Sequence, residues 1–357
     1  MMATMSAKRA PQSTGLRGWS GLLVAAATMS LAGCTWHLET EPVTYPSASA
    51  TTLERDSAAN REQSIMDALN VDYLAAGTDL ATFEALVAPA HLEALGGVYL
   101  ATPSPAPSPS AYHSTLDAAV AAARDWALET SLATPDHNLA LLQSSVGISH
   151  AFGLWWDENS GLAPSSDALA TPAPSDADSE SAEESVPGSS ATPVPVTALE
   201  RTLPSSVDLG TSFLPTTTAL SSTQLEDLAV QHDKARFLYE VIAAKSTGSE
   251  RTEALARRDI HAQRSESLAA LAGDPDGRQS LYNVSPLQVE TAAARGAAAT
   301  ATEFALGARY VAMLPDEDAT DRGWLLNAAF DAYAAGSLQR GFTVAQFPAL
   351  PGIQAAG

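Results

Sequence analysis

From Ala163 to Pro195 the chain carries Asp167, Asp176, Asp178, Glu180, Glu183 and Glu184 and no lysine or arginine, set among runs of Ser, Thr and Pro. Such a stretch buries too little apolar area to offset the entropy of ordering it. It is read as the middle of a disordered acidic linker over 158–221, which splits the remainder into two alanine-rich regions, 53–157 and 222–353. The 357 residues are enough for two cores of ordinary domain size.

Both regions read as helical. Ala, Leu, Glu, Arg and Gln dominate, β-branched runs are scarce, and Pro and Gly fall between the periodic stretches. Helices are expected at 53–76, 79–98, 113–133 and 137–156, with a Pro-rich loop at 102–110, and again at 223–246, 250–272, 286–313 and 320–340. Thr223 to Glu226 has the form of a capping box. Behind it Leu225, Leu228, His232, Ala235, Tyr239 and Ile242 recur three and four apart, the spacing of one helix face.

The halves resemble each other. Ala90-His91-Leu92-Glu93-Ala94-Leu95-Gly96-Gly97 ends the second expected helix of one, and His261 to Gly273 ends that of the other. Leu141-Leu142-Gln143-Ser144-Ser145 and Leu325-Leu326-Asn327-Ala328-Ala329 open the two fourth helices. The expected fold class is therefore all-α, with two tandem four-helix bundles joined by the acidic linker.

Residues 1–33 look like a secretory leader. Lys8, Arg9 and Arg17 precede an uncharged run from Leu22 to Leu31, and Leu31-Ala32-Gly33-Cys34 follows. The run is shorter than the roughly 20 residues a membrane span needs. Leu31-Ala32-Gly33-Cys34 resembles the lipobox of bacterial lipoproteins. That resemblance implies cleavage before Cys34, lipidation of its thiol, a tether over 34–52, and a chain anchored at the extracytoplasmic face of the membrane. Cys34 is the only cysteine, so neither a disulfide nor a thiolate site is open to the rest of the chain. The net charge of −22 becomes −25 once three basic leader residues are removed, which excludes nucleic acid as a partner and leaves a cell-envelope protein as the expected one.

In the second region, Gln231-His232-Asp233-Lys234-Ala235, Phe237 to Ile242, His261-Ala262-Gln263-Arg264, Tyr310, Trp324 to Phe330 and Phe347-Pro348-Ala349-Leu350-Pro351 stand in order. Over about 220–353 this series resembles the actinobacterial ferritin-like domain family of unknown function, which includes lipoproteins. The resemblance implies a ferritin-like four-helix bundle. Where that family has a Glu-His pair, this chain has Gln231-His232.

A ferritin-like di-iron site needs Glu-x-x-His on two helices and a Glu on each of the others. None of the seven histidines has Glu three residues before it, and 320–340 contains neither His nor Glu. The di-iron reading fails. His232 and His261 flank the expected helix junction at similar distances and should face each other. Two readings stay open for them: a metal or small-ligand site supported by Glu240, Glu266 or Glu303, or core imidazoles bonded to Gln231, Tyr239 or each other. His91 and His150 are a second possible cross-helix pair. The expectation is core histidines, with no metal, no cofactor and no catalytic residue. No phosphate loop or nucleophile elbow is present in the sequence. Trp155-Trp156 is either a docking surface or the cap of a core.

Overall fold

The computed structural model describes residues 48–72, 78–98, 115–163, 199–273, 276–314 and 319–353. The leader, Cys34, the Pro-rich loop and the acidic stretch 164–198 lie outside them. The described residues form eight α-helices and no strand: α1 Ala50–Asp72, α2 Asp79–Leu95, α3 Leu116–Ala133, α4 His137–Asn159, α5 Ser222–Lys245, α6 Gly248–Ala272, α7 Ala292–Met313 and α8 Ala319–Ser337.

Local chemistry sets the ends. Thr78, Thr115, Asp136, Ser221 and Thr291 each accept a backbone N–H of the helix they precede, which removes a donor the helix cannot satisfy itself. The box at α5 is built from Ser221 and Gln224, two residues ahead of the Thr223–Glu226 pair expected. α2 stops at Leu95 because Gly96 turns left-handed at φ 92°. α7 starts at Ala292, where Thr291 caps it, and the expected start near 286 is a separate 3₁₀ turn, Pro286–Gln288.

Helices α1–α4 pack on one another, as do α5–α8, and α4 lies against α7 and α8. That contact makes α4 and α8 central helices, buried around most of their circumference. The two groups do not keep separate cores as expected. One apolar cluster runs from Phe83, Leu128, Ile148 and Phe152 of the first group to Tyr310, Leu325, Phe330 and Tyr333 of the second. Phe347, in the C-terminal segment, stacks on Phe152 with ring centroids 3.9 Å apart and also packs against Phe83, Phe304 and Tyr333. Trp156 stacks on Phe152 and Trp155 meets Phe330 edge-on, so the tryptophan pair closes this core.

The expectation of disorder over 158–221 is corrected at both ends. Residues up to Asn159 continue α4, and 199–221 form an extended strap along α8. Inside the strap, hydrogen bonds run through its own side chains, such as Gly210 N–H to Asp208 and Leu220 N–H to Thr218, and side chains of α8 supply further partners that its backbone needs. Asp331 accepts from the Arg201 N–H at 2.9 Å, Asn327 from Leu203 at 3.0 Å and Asp321 from Ala219 at 2.7 Å. Asn327 also donates its Nδ2 to the Gly210 carbonyl at 3.1 Å.

Candidate functional site

Each helix group contains a buried polar cluster. In the second, α5 and α6 bring His232 and His261 together with their Nδ1 atoms 2.9 Å apart. His261 Nε2 donates to Glu303 Oε1 at 3.0 Å, since a carboxylate only accepts. Neutral His261 then accepts at Nδ1 from His232 Nδ1–H, and His232 accepts at Nε2 from the Tyr310 hydroxyl. One assignment of protons satisfies the whole chain with both rings neutral and leaves neither a spare nitrogen lone pair. Burial lowers the pKa of both imidazoles, and the neighbouring His261, Arg264 and Arg257 push His232 further down against the pull of Glu303.

Glu303 is saturated. It accepts from Tyr239 Oη at 2.9 Å, from Arg257 Nε at 2.7 Å and Nη2 at 2.9 Å, and from His261. Burial alone would raise this carboxyl, but Arg257 and then His261 hold it well below the usual range. Arg257 Nη1 and Arg264 Nη2 both donate to Asp331 Oδ2, at 3.0 and 2.8 Å. Two buried guanidiniums thus match two buried carboxylates. Of the carboxylates expected beside the histidine pair only Glu303 reaches it. Glu240 and Glu266 are exposed, and Glu240 pairs with Arg236. Gln231 bonds Asp227 instead of a histidine.

The first group is built differently. Glu62 on α1, Glu84 and His91 on α2 and His150 on α4 are each at most 1 % exposed. Glu62 lies between the imidazoles, with Oε1 2.8 Å from His150 Nε2 and Oε2 3.3 Å from His91 Nδ1. The outer nitrogens are also held: His91 Nε2 donates to the Ala349 carbonyl at 2.7 Å, and His150 Nδ1 donates to both oxygens of Glu84 at 3.1 Å. The two rings stand almost perpendicular, 4.9 Å apart. Glu84 can approach because Gly153 faces it: a Cβ there would lie 2.6 Å from the Phe83 ring and 2.9 Å from Glu84 Oε1.

Burial by itself would raise the Glu62 carboxyl, but His150 and His91 outweigh it and hold it at about 2. Burial would likewise lower His150, and the charges of Glu62 and Glu84 push it up to about 10 instead. His91 and His150 therefore meet, as the pairing across helices suggests, but through a carboxylate between them.

Glu62 and Glu84 escape a reading based on local motifs. The cluster takes its residues from three helices, so no Glu-x-x-His marks it. The one available signal is spacing, because Glu62 precedes His91 by the same 29 residues that separate His232 from His261. No protein-family model, curated protein or solved structure matches the chain.

Proposed function

We propose that the chain is a lipid-anchored, extracytoplasmic helical protein that acts without catalysing a reaction, as a binding or scaffold module of the cell envelope, and that α5–α8 are a ferritin-like bundle without di-iron ligation. The observation that carries the non-catalytic reading is the state of Glu303. At the centre of α5–α8, where a ferritin-like bundle would present carboxylates to iron, this one is taken by a guanidinium, a phenol and an imidazole of its own chain. A carboxylate so engaged is withdrawn from metal and proton-transfer chemistry, and the neutral histidine chain beside it rigidifies the bundle.

Anchoring rests on the leader and on Leu31-Ala32-Gly33-Cys34. Two or three acyl chains on Cys34 give stable attachment where one would be marginal, and no described helix is long and apolar enough to cross a membrane. Expression of the full chain and of Cys34→Ala in a bacterial host tests this reading. The wild type should incorporate labelled fatty acid and enter the detergent phase with the membrane fraction, and the variant should do neither. A Cys34→Ala chain that fractionates like the wild type contradicts it.

A further inference from the structure

We infer that Glu62, His91 and His150 form a binding site for one divalent first-row transition-metal ion. This inference goes beyond the scaffold reading and is independent of the lipid anchor.

The carboxylate oxygens of Glu62, His91 Nδ1 and His150 Nε2 converge, and one ligand atom from each residue lies within 4.8 Å of the others. An ion bound at about 2.0–2.2 Å from each needs ligand atoms about 3.3–3.6 Å apart in a tetrahedral shell, a spacing that side-chain adjustment from this arrangement supplies. Two imidazoles and a carboxylate suit ions of the Zn²⁺ and Fe²⁺ type and not Mg²⁺ or Ca²⁺, which prefer all-oxygen shells.

The outer contacts are those that a metal site requires. A metal-bound histidine nearly always donates its other N–H to a carboxylate or a carbonyl, which fixes its tautomer and turns its lone pair to the ion. Both histidines here do so: His91 through Nε2 to Ala349 O and His150 through Nδ1 to Glu84. The inner nitrogens, His91 Nδ1 and His150 Nε2, both face Glu62, and a metal ion bound there takes the place of the proton between His150 and Glu62. In the second group the same inventory leaves no lone pair spare.

Charge points the same way. Glu62 and Glu84 bring two carboxylates into a fully buried site, and among the described residues no lysine or arginine bonds to either; the groups that do are the two histidines. A divalent ion bound by the imidazoles as neutral ligands, with release of the His150 proton, balances the two carboxylates and satisfies the ligand atoms that face one another. The second group meets its two buried carboxylates with Arg257 and Arg264, which would repel a cation. The ion would be sealed from solvent, as suits structural binding or storage.

The test is cobalt binding by the full chain, prepared without a histidine tag, stripped with a chelator and titrated with Co²⁺ alone. The wild type should take up one Co²⁺ per chain with visible absorption bands of a nitrogen and oxygen ligand set, and Zn²⁺ should displace it and raise Tm. Glu62→Gln and His150→Gln should lose stoichiometric uptake while retaining helical circular dichroism. Glu84→Gln should keep the stoichiometry and weaken affinity about 10- to 100-fold, and His232→Gln should bind like the wild type. The wild-type titration and its Zn²⁺-dependent Tm need no variant, so a ligand substitution that fails to fold leaves the test intact. A wild type without stoichiometric uptake overturns the site, as do wild-type binding by a folded Glu62→Gln and loss of binding in a folded His232→Gln.

Discussion

His91 Nδ1 lies 3.3 Å from Glu62 Oε2 across 29 residues of chain, and the same 29 residues separate His232 from His261, whose Nδ1 atoms meet at 2.9 Å. The first helix hairpin of each group thus places a polar pair at one register. A carboxylate fills one position in the first group and an imidazole fills it in the second. That exchange changes the chemistry from a negative pocket to a neutral hydrogen-bond chain closed by Tyr310 and Glu303.

Glu303→Gln should destabilise the chain strongly. It leaves Arg257 buried with Asp331 as its remaining carboxylate, and breaking a buried ion pair from one side costs about 3–5 kcal/mol. Urea unfolding followed by helical circular dichroism measures the loss. A cost under about 1 kcal/mol, the range of an exposed pair, would show that the network contributes little.

His232 and His261 should make the fold acid-sensitive. Both pKa values are lowered in the folded chain, by burial first and then, for His232, by the adjoining His261 imidazole, which cannot share a second proton, and by the positive Arg264 and Arg257. The unfolded chain binds protons near pH 6.5 and the folded chain does not, so stability is complete above that pH and falls below it. The slope is about 1.4 kcal/mol per pH unit for each histidine, down to its folded pKa. Glu303, held low, adds a loss that begins below its ordinary value of 4.5. His232→Gln should cost about 1–3 kcal/mol at pH 7.5 and flatten the slope between pH 6.5 and 5.5. An unchanged slope would mean that His232 is not held neutral.

All eight helices were legible in the sequence to within a few residues at most ends, because Ala- and Leu-rich periodicity and capping residues are local signals. The meeting of His232 and His261 was legible for the same reason, since two helices joined by a short turn bring equidistant residues level. What the sequence concealed is non-local. Arg257 and Asp331 are 74 residues apart and Glu84 and His150 are 66 apart, and nothing in their immediate neighbours marks them as partners. The strap was hidden by composition: the Ser, Thr and Pro of 199–221 read as unstructured until Asp321, Asn327 and Asp331 supply its backbone partners.

Asn327→Ala should loosen that strap. It removes the acceptor for the Leu203 N–H and the donor to Gly210 O, at a cost of about 1–3 kcal/mol for groups left unpaired. Limited trypsin digestion should cut at Arg201 faster in the variant than in the wild type. Equal rates would place the restraint elsewhere in the strap.

Phe347→Ala should weaken the contact between the helix groups, because this ring stacks on Phe152 of the first and packs on Phe304 and Tyr333 of the second. A buried Phe→Ala change costs about 3–5 kcal/mol. If the shared core is real, thermal unfolding of the wild type is a single transition, and the variant separates it into two. Two transitions already present in the wild type would mean independent cores.

The most direct measurement is an anomalous difference map at the zinc edge, from crystals of the full chain grown with Zn²⁺. One peak per chain should appear about 2.0–2.2 Å from Glu62, His91 Nδ1 and His150 Nε2, with Glu84 and Ala349 O still on the outer nitrogens. A peak on His232 and His261, or no peak among Glu62, His91 and His150, would contradict the assignment of the cation site to the first helix group.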